Sequence, residues 1–191
     1  MKDATMNKFS ISKTKLNLVT RLKRQGGMTM VETSLVLIIA LGAVAGAVSY
    51  FSSNNTSAQS NQLATDMSML VGKVKSAYGG QYANVTNAKL NSGGFFAGYP
   101  GLTNLAGTVT TSMGGGTLTV SPGTVTAPND SVKYVITQVP DAACQPFVTA
   151  MAKTATTMDV GANTVKAAGG IPDPSKITCA GDNNTITMQV Q

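Results

Sequence analysis

The chain of 191 residues contains no histidine. That absence removes the commonest general base at neutral pH and the commonest metal ligand. Charged residues make up only 12% and aromatic residues only 5% of the chain, while Gly, Thr, Ala, Ser and Asn are abundant. Such a composition suits an extracellular structural protein better than a cytosolic enzyme. There are two cysteines, Cys144 and Cys179. Without a histidine beside it, Cys144 is a poor nucleophile. Asp66, Asp130, Asp141, Asp159, Asp173 and Asp182 are scattered and do not have the spacing of a calcium loop. The glycine-rich GGGTLT at 114–119 lacks the Lys-Ser/Thr of a phosphate loop and reads as a turn. No cofactor, no metal and no catalytic residue is expected.

The net charge of +6 is unevenly placed. Residues 1–27 carry seven Lys/Arg against Asp3, whereas residues 28–191 carry seven Lys and seven acids. The basic character belongs to the N-terminal segment, where it sets membrane orientation with the basic end in the cytoplasm. The neutral remainder offers no basic stripe for nucleic acid.

Proline is absent between Met28 and Tyr99. From Met28 to Phe51 the chain is apolar, with Glu32 its one charged residue. As a helix this run spans about 36 Å, enough for a bilayer core of about 30 Å. An acid inside such a run is costly enough to be read as functional. Gly42 and Gly46 form a small-xxx-small pair that either lets helices pack closely or weakens the helix locally, by about 1 kcal/mol each. Beyond the polar stretch Ser52–Ser60, a candidate break, come Leu63, Met67, Leu70, Val74 and Ala77. Their spacing marks one apolar stripe, with Asp66, Lys73 and Lys75 between. Gly79-Gly80 ends the pattern, which predicts one helix of about 50 residues, near 75 Å long.

Residues 81–116 read as loops with a short helix near Val85–Leu90. Tyr78, Tyr82, Phe95, Phe96 and Tyr99 cluster there, either as core packing between helix and sheet or as a subunit contact. Thr117–Val120, Ser131–Val139 and Thr185–Val190 alternate and predict strands. Asp141 is expected to cap a helix over AACQPFVTAMAK, with Pro146 tolerable only near the first turn. The expected fold is α+β: a long N-terminal helix whose distal half lies on an antiparallel sheet of about four to six strands. Cys144 and Cys179 are either two buried thiols or, after export, a bridge. The bridge would close a loop of 34 residues and contribute roughly 3–4 kcal/mol in the chain-entropy model. It would staple the Cys144 helix to the segment leading into the last strand and close the C-terminal region.

Two export readings compete. A secretory signal would be cut at the small-x-small site Ala45-Gly46-Ala47, releasing residues 48–191. The other reading cuts after Gly27 and keeps the apolar run. Glu32, the length of the run and the amphipathic stripe beyond it favour the second.

KRQGG followed by MTMVETSLVLIIALGAVAGAV resembles the N-terminus of type IV prepilins. In that family an inner-membrane aspartyl peptidase cuts after the glycine and methylates the new N-terminus. Gly26 and Gly27 match the residues before the cut, Met28 the new first residue and Glu32 the acid that follows. The family usually begins with methylated Phe after a short leader. Met28 and the 27-residue leader depart from that pattern. They resemble the IVb subclass of bundle-forming adhesive pili and conjugative thin pili. AACQPFVTAM and ITCAGDNNTITMQV resemble its cysteine-bearing helix and its cysteine-plus-final-strand segment.

The resemblance implies a cleaved leader over 1–27, a membrane and filament-core segment over 28–51, an amphipathic segment over 52–78 and a globular head over 79–191. It implies a major pilin that polymerises with itself and moves from the inner membrane to the cell surface. The implied partners are a prepilin peptidase, an assembly ATPase with its membrane platform, and an outer-membrane secretin. A minor pilin or secretion-system pseudopilin is the alternative within this architecture. A secreted or membrane-anchored binding domain that never polymerises is the alternative outside it.

Overall fold

The computed structural model describes residues 30–191; the side chains of 45–54 lie outside the description. The chain divides into two units, Met1–Ala43 and Val44–Gln191. Helix α1, Met30–Tyr78, has 49 residues and continues through the polar stretch 52–60 that the sequence offered as a break. It stops where expected. Gly79 takes a positive φ of 55°, and its N–H donates to the Lys75 carbonyl at 3.0 Å, closing the last turn.

In the second unit Leu63, Met67, Leu70 and Val74 are fully buried, as the stripe predicted, and Ala64 and Val71 join them. Ala77, expected to complete the stripe, is exposed; Tyr78 packs on the core instead. Asp66, expected on the polar side, is fully buried. Its carboxylate accepts the Gly101 N–H at 2.7 Å and the Gln62 amide at 2.9 Å. A Cβ on Gly101 would come within 2.8 Å of that carboxylate and 3.2 Å of the Leu63 Cα, so glycine permits this docking.

A single sheet of seven strands accepts the helix, one strand more than the upper expectation. Its strands are β1 Leu102–Leu105, β2 Thr108–Thr111, β3 Thr117–Thr124, β4 Pro128–Val139, β5 Thr157–Val160, β6 Asn163–Lys166 and β7 Asn184–Val190. The order is β1-β2-β3-β4-β7-β5-β6, every pair antiparallel. The C-terminal strand β7 lies between β4 and β5. Inward rows cross the sheet: Leu118–Ile136–Ile186–Val160, and Val120–Tyr134–Met188–Met158. All eight are buried. Their alternation along each strand is the period that made β3, β4 and β7 legible.

The loop-rich reading of 81–116 missed β1 and β2, which form a hairpin with a two-residue turn. Ala106 (φ 51°) and Gly107 (φ 91°) both adopt the left-handed region that such turns require. Helix α2, Asn87–Ser92, follows a 3-10 turn at Tyr82–Asn84 and is capped by Thr86, whose hydroxyl accepts the Lys89 N–H. The aromatic cluster is core packing: Tyr82 and Phe96 are buried, and Tyr78, Phe95 and Tyr99 lean on the same core.

Beyond Leu118, β2 no longer covers β3. There the Asn87 side chain takes the place of a strand. It accepts the Val120 N–H at 2.6 Å and donates to the Leu118 carbonyl at 2.8 Å. The next edge-facing position is Pro122, which has no N–H to satisfy.

Helix α3, Asp141–Met151, follows β4. Asp141 is the first helical residue rather than the cap, a position held by Pro140. Pro146, expected in or near the first turn, lies inside the helix, just past that turn. It leaves the Ala142 carbonyl without its usual helical donor.

The glycines of the 114–119 stretch form or follow the turn that was read there, while Thr117–Thr119 already belong to β3. Gly114 and Gly115 have positive φ, and a Cβ on Gly116 would collide with the Thr137 carbonyl beside the β4 bulge at Gln138. Gly116→Ala must push β3 away from β4. The expected loss is at least about 1–3 kcal/mol, measured by chemical unfolding against the native chain.

Candidate functional site

Within the first unit, α1 presents an apolar surface with no cover. Met30, Val31, Leu35, Val36, Leu37, Ile38, Ile39 and Leu41 are exposed by 53% to 89%. Side chains of this size gain about 1.5–3 kcal/mol each on burial, so the segment favours surroundings other than water. Glu32 is exposed among them, in the first turn, where the positive end of the helix dipole favours an acid. Ser34 donates back to the Met30 carbonyl at 2.6 Å. A Cβ on Gly42 would meet nothing within 4 Å. Gly26, Gly27 and Met28 lie outside the described residues, and Gly46 falls in the segment whose side chains are not described. Among the described residues no helix is long and apolar enough to cross a membrane. The expected span 28–51 extends beyond them at residues 28 and 29, and into the undescribed side chains from 45.

In the second unit, Cys144 and Cys179 are bonded, with Cα atoms 6.1 Å apart. The free-thiol alternative is thereby corrected. The bridge joins fully buried Cys144 on α3 to the segment that enters β7. Lys166 of β6 donates to the Ala152 and Ala155 carbonyls at 2.9 and 2.6 Å, satisfying the C-terminal end of α3.

The outward end of β7 is held just as closely. Asp130 accepts the N–H groups of Val125, Thr126 and Ala127 at 2.7–2.8 Å and the Thr126 hydroxyl at 2.6 Å. The Gln191 amide donates to the same carboxylate at 2.8 Å, and Lys75 of α1 donates to the Gln191 carbonyl at 2.6 Å. The Thr126 hydroxyl first, then the backbone donors, hold the Asp130 carboxyl far below the usual carboxylate range. Burial first, then the Asp66 carboxylate, raises the Tyr99 phenol.

The sequence reading missed the roles of Asp66, Asp130 and Lys166. Of the three, only Asp130 carried a local signal, an Asn-Asp pair after Pro128 in a turn. Among the described residues no group of three or more His, Cys, Asp or Glu could hold a metal ion.

A family model described as PilS N terminal matches residues 53–191. The chain belongs to the PilS N-terminal family. No curated protein sequence matches this PilS-family chain. Its structure is similar to that of TcpA, a type IV pilin from Vibrio cholerae El Tor biotype. The identity is 10%, the TM-score 0.50, and 72% of this chain and 99% of that chain are covered. It is also similar to the type IVb pilin from Salmonella typhi, at 19% identity and a TM-score of 0.48, with 72% and 99% covered. The PilS-family chain thus has a type IV pilin fold, and the α+β expectation holds with it.

The disulfide ties α3 to the approach to β7, so its loss releases the loop between them. Cys144→Ser with Cys179→Ser is expected to cost about 2–5 kcal/mol, read as a fall in unfolding midpoint that reductant reproduces in the native chain. A depressed carboxyl contributes stability above its unfolded pKa, near 4, and that contribution is lost as pH falls through the folded value. Asp130→Asn is therefore expected to be less stable than the native chain at pH 7. The gap should narrow steadily as unfolding is measured from about pH 4 towards pH 2.

Proposed function

We propose that this chain is the major structural subunit of a type IVb pilus and has no catalytic role. The apolar surface of α1 carries the reading: it leaves Met30–Leu41 exposed around one acid, in a chain whose second unit has a type IV pilin fold. Cleavage after Gly27 frees a charged α-amine on Met28, four residues before Glu32. Released from its basic leader, the segment can leave the lipid, because a bundle of like helices replaces lipid around the same side chains. Within that bundle Glu32 is buried, and a buried carboxylate is tolerated when paired. The Met28 amine of a neighbouring copy is its partner. Breaking such a pair by removing one member costs about 3–5 kcal/mol, so the pair enforces register. Gly42 and Gly46 let the helices approach or yield within the bundle.

On this reading the chain is made as an inner-membrane prepilin and becomes part of an extracellular filament. A prepilin peptidase cuts and methylates it, an assembly ATPase with its membrane platform drives extraction, and an outer-membrane secretin lets the polymer out. Adhesion, aggregation or conjugation follows from the filament, and no nucleic acid is bound.

The test is the intact mass and N-terminal sequence of the chain in sheared cell-surface material. Expected is a chain that begins at N-methylated Met28 and is two hydrogens lighter than its reduced form. Glu32→Ala is expected to be cut normally yet to be missing from that material. A chain beginning at Val48, or Glu32→Ala filaments at the native level, would overturn the proposal.

A further inference from the structure

A pocket of about 410 Å³ opens at the margin of the sheet in the second unit, lined by Asn91, Gly94, Phe96, Ala97 and Asn104. Three elements bound it: the end of α2, the turn that follows and β1. The turn is held from two sides. Gly94 N–H donates to the Asn91 carbonyl at 3.0 Å, and Phe95 N–H donates to the Leu90 carbonyl at 2.9 Å. Lys73 of α1 donates to the Gly94 carbonyl at 3.3 Å and lies 5.0 Å from the centre of the Phe95 ring. The walls are thus fixed before anything binds, and the volume is at the small end of the ~300–1,000 Å³ usual for small-ligand sites.

Asn104 stands where the period of β1 calls for an apolar residue. It follows buried Leu102 on the inward side of the strand and is paired with fully buried Val109. Its Nδ2 donates to Asn91 Oδ1. That bond leaves over one donor atom, Asn91 Nδ2, and one acceptor atom, Asn104 Oδ1. Asn104 Oδ1 is buried and has no hydrogen-bond partner among the described residues. A buried acceptor without a donor is costly, and a donor brought in from outside the chain removes that cost. The remaining lining side chains, Phe96 and Ala97, are apolar.

We propose that this pocket binds a neutral sugar through two neighbouring hydroxyls. A hydroxyl both donates and accepts. One hydroxyl donates to Asn104 Oδ1 and the next accepts from Asn91 Nδ2, with the partly buried Asn91 side chain turning aside to admit the first. The C–H side of the ring then meets Phe96 and Ala97. The lining side chains are uncharged, so they offer no counter-charge to an acidic sugar or a phosphate. A peptide recognised in extended form needs a row of pockets along an edge or groove, whereas one compact pocket suits one ring. The site lies wholly within the second unit and does not depend on the filament reading.

The experiment titrates the isotope-labelled full chain, in detergent micelles, with D-glucose, D-galactose, D-mannose and N-acetyl-D-glucosamine in turn, and follows the side-chain amide signals of Asn91 and Asn104 by NMR. At least one sugar is expected to move both signals and to saturate with a dissociation constant of the order of 1 mM. Asn91→Ala is expected to weaken that binding about tenfold or more. Ala97→Trp, at an exposed position on the pocket wall, is expected to abolish binding by filling the space while leaving the unfolding midpoint near that of the native chain. Signals unmoved by all four sugars, as an ordered water alone would leave them, overturn the proposal. So does a response that persists in Ala97→Trp, which places the sugar elsewhere. A response to N-acetylglycinamide but to none of the sugars makes the pocket a peptide site and overturns it as well.

Discussion

The second unit is organised around the insertion of its last strand into the middle of the sheet. β7 is bonded to β4 on one side and β5 on the other, although α3, β5 and β6 intervene in sequence between β4 and β7. Bringing Val139 and Asn184 together closes a long loop, which costs entropy before any contact forms. Several groups offset that cost at the two ends of the strand. At its entry the Cys144–Cys179 bond shortens the loop, and Asn184 donates from its side chain to the Val139 carbonyl at 2.9 Å. At its exit Gln191 bonds Asp130, Thr156 and Lys75. Between them Ile186 and Met188 carry the two main inward rows, so a missing β7 would divide both.

This arrangement completes the core of the second unit. Among the described residues, the buried hydrophobic core runs from Leu63 to Val190. The apolar side chains of Met30–Leu41 are left exposed, free for a different environment.

Legibility in the sequence followed the range of the interactions. The Leu63–Val74 stripe, β3, β4 and β7 have periods that neighbouring residues display, and each was readable. β1, β2, β5 and β6 have four residues apiece, too few for a period to show. Asp66 reads as a surface acid because only Gly101, far along the chain, turns it into a buried hydrogen-bond acceptor. Ala77 reads as core because its spacing continues the stripe, yet the helix ends there and Tyr78 reaches the core with a longer side chain. Pro146 was expected in or near the first turn, and α3, which begins at Asp141, carries it inside the helix.

The sequence by itself determined the α+β class, the helix and its end at Gly79, the acid within an apolar run and the likeness to pilins. These rest on composition, periodicity and local backbone preference, which act over a few residues. Only the tertiary structure decided the strand order, the pairing of the cysteines, the burial of Asp66 and the Asn87 side chain that stands in for a strand. Each depends on groups distant in sequence meeting at hydrogen-bonding or van der Waals distance, and no local pattern encodes such meetings.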